Sequence, residues 1–506
     1  NPPYVRQELF SNIKPWLERS YDVYHGVVDL YAYFFELGLR LLKQDGMLGY
    51  ISSATFFKTS SGLPLRKYLS YQAWLRKVVD FGDLQIFEGV TTYPAILVFK
   101  NQKPNESSPI EFLSLNEIPD DLNQDFNQSI GLMEAQQLQG DSWQLEDIRL
   151  SQLRFKLTHD QFGAPYPTLR KAYGSTYRGI LTGFNEAFVI DQATRDEIIS
   201  QDPKSAELIK PFLEGKDLKK WHAQPRDIYL IFTRRGVDIG CYPGIKKHLE
   251  KYKERLMPKP KDWPKGQKWP GRKSGSYQWF EIQDSIGYFE EFEKSKLVYA
   301  HFQSEPLFSL DTTGVYTNNK CYIHSGADSY LLGLLNSNCV WFVFKSMTTM
   351  VRGGFYEATS QNIEKLPVPQ ASDEQRKSIG NKAVYCQELA EQRYAIEIGF
   401  SQRLFEDLCP DDQGLKLNQK SQAWWKHDFK TLQSELKKSF KLKANDVLIP
   451  VSERNDWQAY FEQEKAKHQA LTQQLAEAES QLNKAVYELF GLNQEEVALL
   501  ETSLGG

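Results

Sequence analysis

The chain has 506 residues, 41% of them hydrophobic and 25% charged, with a formal net charge of −4. This length suggests two to four domains with ample cores, and the composition is that of a soluble globular protein. The apolar runs "YAYFFELGL" and "YLLGLLNSNCVWFVF" are too short or too polar to span a bilayer, so no membrane partner is expected. The first residues carry neither a basic lead nor a signal-type apolar stretch. Cys241, Cys321, Cys339, Cys386 and Cys409 lack C-x-x-C spacing, which argues against zinc or a disulfide framework and fits a reducing, cytoplasmic setting.

The chain opens on "NPPY". Pro2 and Pro3 fix their own φ and push the residue before each out of the helical region. The result is a rigid corner that can aim the Asn1 amide and nearby carbonyls at one spot beside the ring of Tyr4. Residues 29–44 carry apolar side chains at helical spacing, and "MLGYISSATFF" reads as a buried strand running into a loop. "LPLRKYLSYQAWL" reads as a second amphipathic helix, and "RKVVDFG" and "YPAILVFKN" as strands. This alternation is α/β. "DLQIFEGVTT" is too short for a crossover helix, so the last two strands should pair antiparallel.

"NQKPNESSP" is a linker by composition, and residues 104–165 read as a polar connector. Residues 166–370 show short strands, Gly/Asn turns and aromatics, which predicts a β-rich α+β domain. Between Lys246 and Lys273, twelve Lys, Arg or His residues stand against three acids, interleaved with Tyr252, Trp263 and Trp269. Basic and aromatic residues together suit a surface that tracks phosphates, even on an acidic molecule. After "LPVPQ", residues 371–408 and 453–490 have the periodicity of long helices packed as hairpins.

"NPPY", "DLYAYFFELGLRLLKQDGMLGYISSATFF", "LRKYL" and "FGDLQIFEGVTTYPAILVFK", in that order, resemble the catalytic domain of TaqI-type N6-adenine DNA methyltransferases. "GILTGFNEAFVID", "LIKPFLEGKDLKKW", "YLLGLLNSNCVWF" and "NIEKLPVP" are similar to the recognition domain attached to such enzymes, including type IIG restriction–modification proteins. The resemblance implies four regions. Residues 1–103 would be the C-terminal part of a Rossmann-like methyltransferase domain, 104–165 a connector, 166–370 the DNA target-recognition domain and 371–506 a helical C-terminal region.

It also implies a chemistry. The adenine N6 lone pair is delocalised into the ring, so the amino group is a poor nucleophile. Two acceptors, the Asn1 side-chain oxygen and the Pro2 carbonyl, would hydrogen-bond its hydrogens and stabilise the charge that develops on nitrogen. The base must first leave the duplex and be held by stacking. Tyr4 would supply one aromatic face, and Phe87, from its place in "LQIFEGV", the second. Asn1 and Pro3 would border S-adenosylmethionine, and no metal is required. Tyr31 has a weaker claim and reads as packing.

The family's Gly-rich cofactor turn lies upstream of this motif, and no G-x-G-x-x-G occurs in the chain. The expectation is either the C-terminal piece of a longer polypeptide or a chain whose upstream half is lost, cleaved or supplied separately, with duplex DNA and that half or a nuclease domain as partners, and little activity alone. In the recognition domain, Thr182, Asn185, Arg234, Arg235, Asn318 and Arg352 are expected to reach bases or phosphates. Lys219, Lys220, Lys246, Lys247 and Lys273 would contact phosphates only. Two rival readings remain: a specificity module without catalysis, and a nuclease built on Asp202 and the Glu214–Lys216 triplet.

Overall fold

The computed structural model describes all residues except 83, 88–92, 116, 140, 141, 144, 265, 349, 352, 411–414, 444, 445 and 506; the side chains of 125 and 127–129 are also left aside. The first domain is built on a five-stranded sheet. Its strands are β1 (Met47–Ser53), β2 (Trp74–Asp80), β3 (Pro94–Lys100), β4 (Pro109–Ser114) and β5 (Gly131–Glu134), in the spatial order β1-β3-β2-β4-β5. β3 pairs antiparallel with both β1 and β2, as the short connection between β2 and β3 requires. Helices Tyr31–Leu41 and Leu63–Gln72 alternate with these strands. They bury Phe35, Leu39, Leu65 and Leu69 against Leu97 and Phe99 of β3.

The sheet does not stop at the expected linker. β4 pairs parallel with β2, matching Lys77 to Glu111, whose side chains form an ion pair at 3.1 Å, and β5 adds an antiparallel edge. Trp143 then returns to the first core against Phe56 and Phe57, where its indole N–H donates to Leu138 O at 2.9 Å. Residues 104–143 therefore belong largely to the first domain's sheet and core. A six-residue and a four-residue strand set among Asn, Gln and Ser carry too little alternation to stand out in the sequence.

The β-rich region holds three small sheets. One orders Phe308–Asp311, Lys296–Ala300, Cys321–Ser325 and Tyr177–Arg178. Another orders Tyr316–Thr317, Ile209–Leu213, Ile228–Ile231 and Val189–Asp191. The third joins Phe302–Gln303 to the hairpin Met350–Val351/Phe355–Glu357. Helices Ser329–Leu335 and Asn338–Met347 are apolar nearly all round and lie in a core shared with the two long helices Asp373–Leu408 and Arg454–Leu489. Each long helix has 36 residues. Gly333 lets them approach, because a Cβ there would lie 2.9 Å from Ile379 Cγ2 and 3.1 Å from Leu482 Cδ1. The far ends carry a separate core of Phe400, Leu404, Trp424, Phe429, Leu432 and Phe461. No helix among the described residues is long and apolar enough to cross a membrane.

Candidate functional site

The "NPPY" corner is fixed by its own backbone and by the next helix. Val5 N donates to Pro3 O at 3.0 Å, and Leu30 N donates to Val5 O at 3.0 Å. Gln7 N donates to Asp29 Oδ1 at 3.0 Å, so the approach to helix Tyr31–Leu41 clamps the segment after the motif. Pro2 is buried, while Asn1 and Pro3 are exposed. Pro3 O is thus occupied. Among the described residues no donor reaches the Pro2 carbonyl or the Asn1 side chain. Two free acceptors stand side by side in sequence.

The ring of Tyr4 lies 6.4 Å from that of Phe87, centroid to centroid, tilted by 58°. Two rings far apart in sequence are therefore brought together beside Asn1, and Phe87 is half-buried rather than core. The Tyr4 hydroxyl is buried without a hydrogen-bond partner among the described residues, and burial raises its pKa. Tyr31 is buried and packs on Phe56. Burial pushes its pKa up to about 12, while a hydrogen bond with Thr55 lowers it in part. It packs, as expected for a helix residue.

The predicted DNA-contacting residues fall into two groups. Asn185, Lys246, Lys247 and Lys273 are exposed. Arg234 lies over the ring of Phe289 at 4.3 Å, on the rim of a cavity of about 430 Å³ with Lys204, Lys210 and Tyr242. The others have structural work. Thr182 is buried and donates to Asn185 Oδ1 at 2.6 Å. Asn318 is buried and accepts from Lys320 N at 3.0 Å. Lys219 donates to Lys216 O at 3.0 Å, and Lys220 pairs with Glu479 of the second long helix at 2.8 Å. Arg235 donates to Gln283 O at 2.7 Å and to Ile282 O. Arg352 lies outside the described residues.

Arg272 corrects the reading of the basic cluster as one phosphate surface. It is 4% exposed. Its guanidinium donates to the carbonyls of Leu256, Thr182, Glu281, Gln278 and Trp279 at 2.7–3.2 Å. Burial pushes its pKa down to about 10, which leaves it charged near neutrality. Gly183 (φ +82°) makes the close approach possible, since a Cβ there would lie 2.9 Å from Arg272 Cδ. His248, counted in the same cluster, is buried with its Nε2 3.1 Å from Ala187 O. The Lys-rich run around both residues hid their inward orientation.

A residue not singled out in the sequence is Lys58. Its ammonium donates to Thr348 O at 3.3 Å, tying the first domain to the C-terminal end of helix Asn338–Met347. Burial lowers its pKa, and Asp80 and Glu146 pull it back up. The residues of the nuclease pattern serve local structure. Asp202 accepts from Ser205 Oγ at 2.6 Å and from Gly244 N at 3.2 Å. Glu214 pairs with Arg226 at 2.6 Å and Lys216 at 3.1 Å.

Three family descriptions match stretches of this chain. Residues 1–87 match the Eco57I restriction-modification methylase, residues 210–368 the TaqI-like C-terminal specificity domain, and residues 372–486 a domain of unknown function. Type II methyltransferase M.BstVI of Geobacillus stearothermophilus is 24% identical over 77% of this chain and 70% of its own length. Type II methyltransferase M.XhoI of Xanthomonas vasicola is 25% identical over 73% of this chain and 67% of its own. The Type IIL restriction-modification enzyme MmeI, solved in complex with DNA, shares the fold with a TM-score of 0.55 at 14% identity. That alignment covers 100% of this chain and 56% of the MmeI chain. The methylase match falls on the residues that carry "NPPY" and the specificity match on the β-rich domain, so over these regions the chain is similar to the TaqI-type restriction–modification methylases.

Proposed function

We propose that this chain directs methyl transfer from S-adenosylmethionine to the N6 amino group of an adenine flipped out of duplex DNA, within a restriction–modification system. The observation that carries the reading is the pair of free acceptors. Val5 N occupies the Pro3 carbonyl, which leaves the Asn1 side-chain oxygen and the Pro2 carbonyl for the two amino hydrogens. An acceptor on each N–H holds the amino group pyramidal and stabilises the positive charge that grows on nitrogen, with no reorganisation at the moment of reaction.

Tyr4 and Phe87 would hold the base. A ring sandwiched between two others needs about 7 Å between the outer planes, twice the usual carbon–carbon contact distance. The separation of 6.4 Å at 58° is close to this, so a modest rotation of Phe87 admits a base. The residues present fit one edge of the cofactor, since Asn1 and Pro3 are exposed and the buried Tyr4 hydroxyl has no partner among the described residues. S-adenosylmethionine supplies the methyl carbon on its sulfonium. With no G-x-G-x-x-G in the chain, most of its contacts are assigned to residues outside these 506. The helix–strand alternation over residues 31–100 supports reading the sheet as part of a Rossmann-like domain.

Phe87→Ala tests the stacking role. Retention of the extruded base should weaken by about 1–3 kcal/mol, the usual worth of base–aromatic stacking. A fluorescent base analogue at the target should then show less of the extruded state, with thermal unfolding unchanged because the ring is half-buried. An early-melting variant with normal extrusion would make Phe87 a packing residue instead.

A further inference from the structure

We propose that the tip of the helical arm, residues 415–450, is a second, sequence-independent contact for duplex DNA, separate from the specificity domain. This goes beyond the methylation reading and rests on it only for the presence of DNA. The segment holds eight lysines and three acids, on a chain whose net charge is −4. Its acids are spent on structure. Asp428 accepts from Thr431 N at 2.7 Å, Asp446 accepts from Lys443 N at 2.7 Å, and the buried Glu435 is held by Lys438 at 2.7 Å. Lys416, Lys420, Lys426, Lys430, Lys441 and Lys443 are exposed, and among the described residues none of their ammonium groups forms a salt bridge, although Lys420 and Lys430 stand near Glu435 and Asp428.

The fold shows why these lysines face out. Helix Phe429–Ser439 buries Phe429, Leu432, Leu436 and Ser439, which line one face and pack on Trp424 and Phe461. Lys430, Ser434 and Lys437, at i, i+4 and i+7, line the opposite face. The cations are all lysine, with no arginine in the segment. Lysine suits point contacts to phosphate, whereas base reading favours the bidentate arginine fork.

The two long helices set the reach. Residues up to Ala390 share the core of the specificity domain, whereas the tip core begins at Phe400. Ten helical steps between them span about 15 Å. Trp424 Nε1 donates to Glu397 O at 3.2 Å, so the tip packs beside this stretch of the arm. The tip would therefore meet phosphates other than those the specificity domain itself contacts.

The test uses the full chain, a 40-base-pair duplex of arbitrary sequence and binding measured across a salt series. One variant is K420S/K426S/K430S/K441S; the comparison variant, in the specificity domain, is K246S/K247S/K273S. All seven side chains are exposed, so both variants should melt with the parent. The tip variant should bind about tenfold more weakly at moderate salt, with the log–log salt slope shallower by about 3–4, the counterions four phosphate contacts release. Unchanged affinity and slope for the tip variant, with a loss in the comparison variant, would overturn this inference and leave the specificity reading standing; the tip would then suit an acidic protein. Failure of the parent chain to bind DNA at low salt would overturn both.

Discussion

Asn1→Ala, made in a methylation-competent protein that contains this chain, should lower methyl transfer by about 10²–10³-fold, the usual cost of removing one preorganised partner of developing charge. Duplex affinity should stay within a few-fold. The two effects separate because the Asn1 oxygen acts on charge that exists only in the transition state, whereas affinity comes mainly from phosphate contacts elsewhere. Asn1 is exposed and bonds no neighbour among the described residues, so its loss should not disturb the corner that Val5 and Leu30 hold. Single-turnover methylation and a binding isotherm on the same preparation read both quantities. Retained methyl transfer would remove the two-acceptor mechanism.

Arg272→Leu should destabilise the specificity domain by at least about 3 kcal/mol, since each buried polar group left unpaired costs about 1–3 kcal/mol. Five carbonyls converge on its guanidinium. Thr182 O and Gln278 O keep backbone donors, from Gln283 N at 3.1 Å and Glu281 N at 3.0 Å. The carbonyls of Leu256, Glu281 and Trp279 depend on Arg272 among the described residues. Leucine restores none of this and also removes the cation lying 4.4 Å over the Tyr277 ring. Thermal unfolding of the full chain is the measurement. Normal melting with weaker, less salt-sensitive DNA binding would return Arg272 to the phosphate surface.

Arg272 also marks where the sequence stopped being legible. It sits in a Lys-rich run, and nothing in that run signals that five carbonyls, one of them from Thr182, surround it. Thr182 and Asn318 looked like turn residues facing DNA, yet both are buried and hold their own turns. Burial of that kind depends on which loops meet, and no local pattern encodes it. Periodicity did reveal the long helices: 371–408 and 453–490 became Asp373–Leu408 and Arg454–Leu489. Loop length alone predicted that β2 and β3 pair antiparallel, because ten residues cannot hold a crossover. β4 and β5 escaped notice because six and four residues are too few for a period of two to register. The meeting of Tyr4 with Phe87 could be expected only from the order of motifs, since 82 positions separate them.

The central claim concerns which atom receives the methyl group, and one measurement reads it directly. A methylation-competent protein containing this chain is incubated with unmethylated plasmid and deuteromethyl-labelled S-adenosylmethionine, and the DNA is digested to nucleosides for mass spectrometry. The proposed function predicts label in N6-methyldeoxyadenosine alone, and the two-acceptor corner at Asn1 and Pro2 predicts that it accumulates about 10²–10³-fold more slowly when Asn1 is alanine. Label in N4- or 5-methyldeoxycytidine, or undiminished adenine methylation by the Asn1→Ala variant, would contradict it.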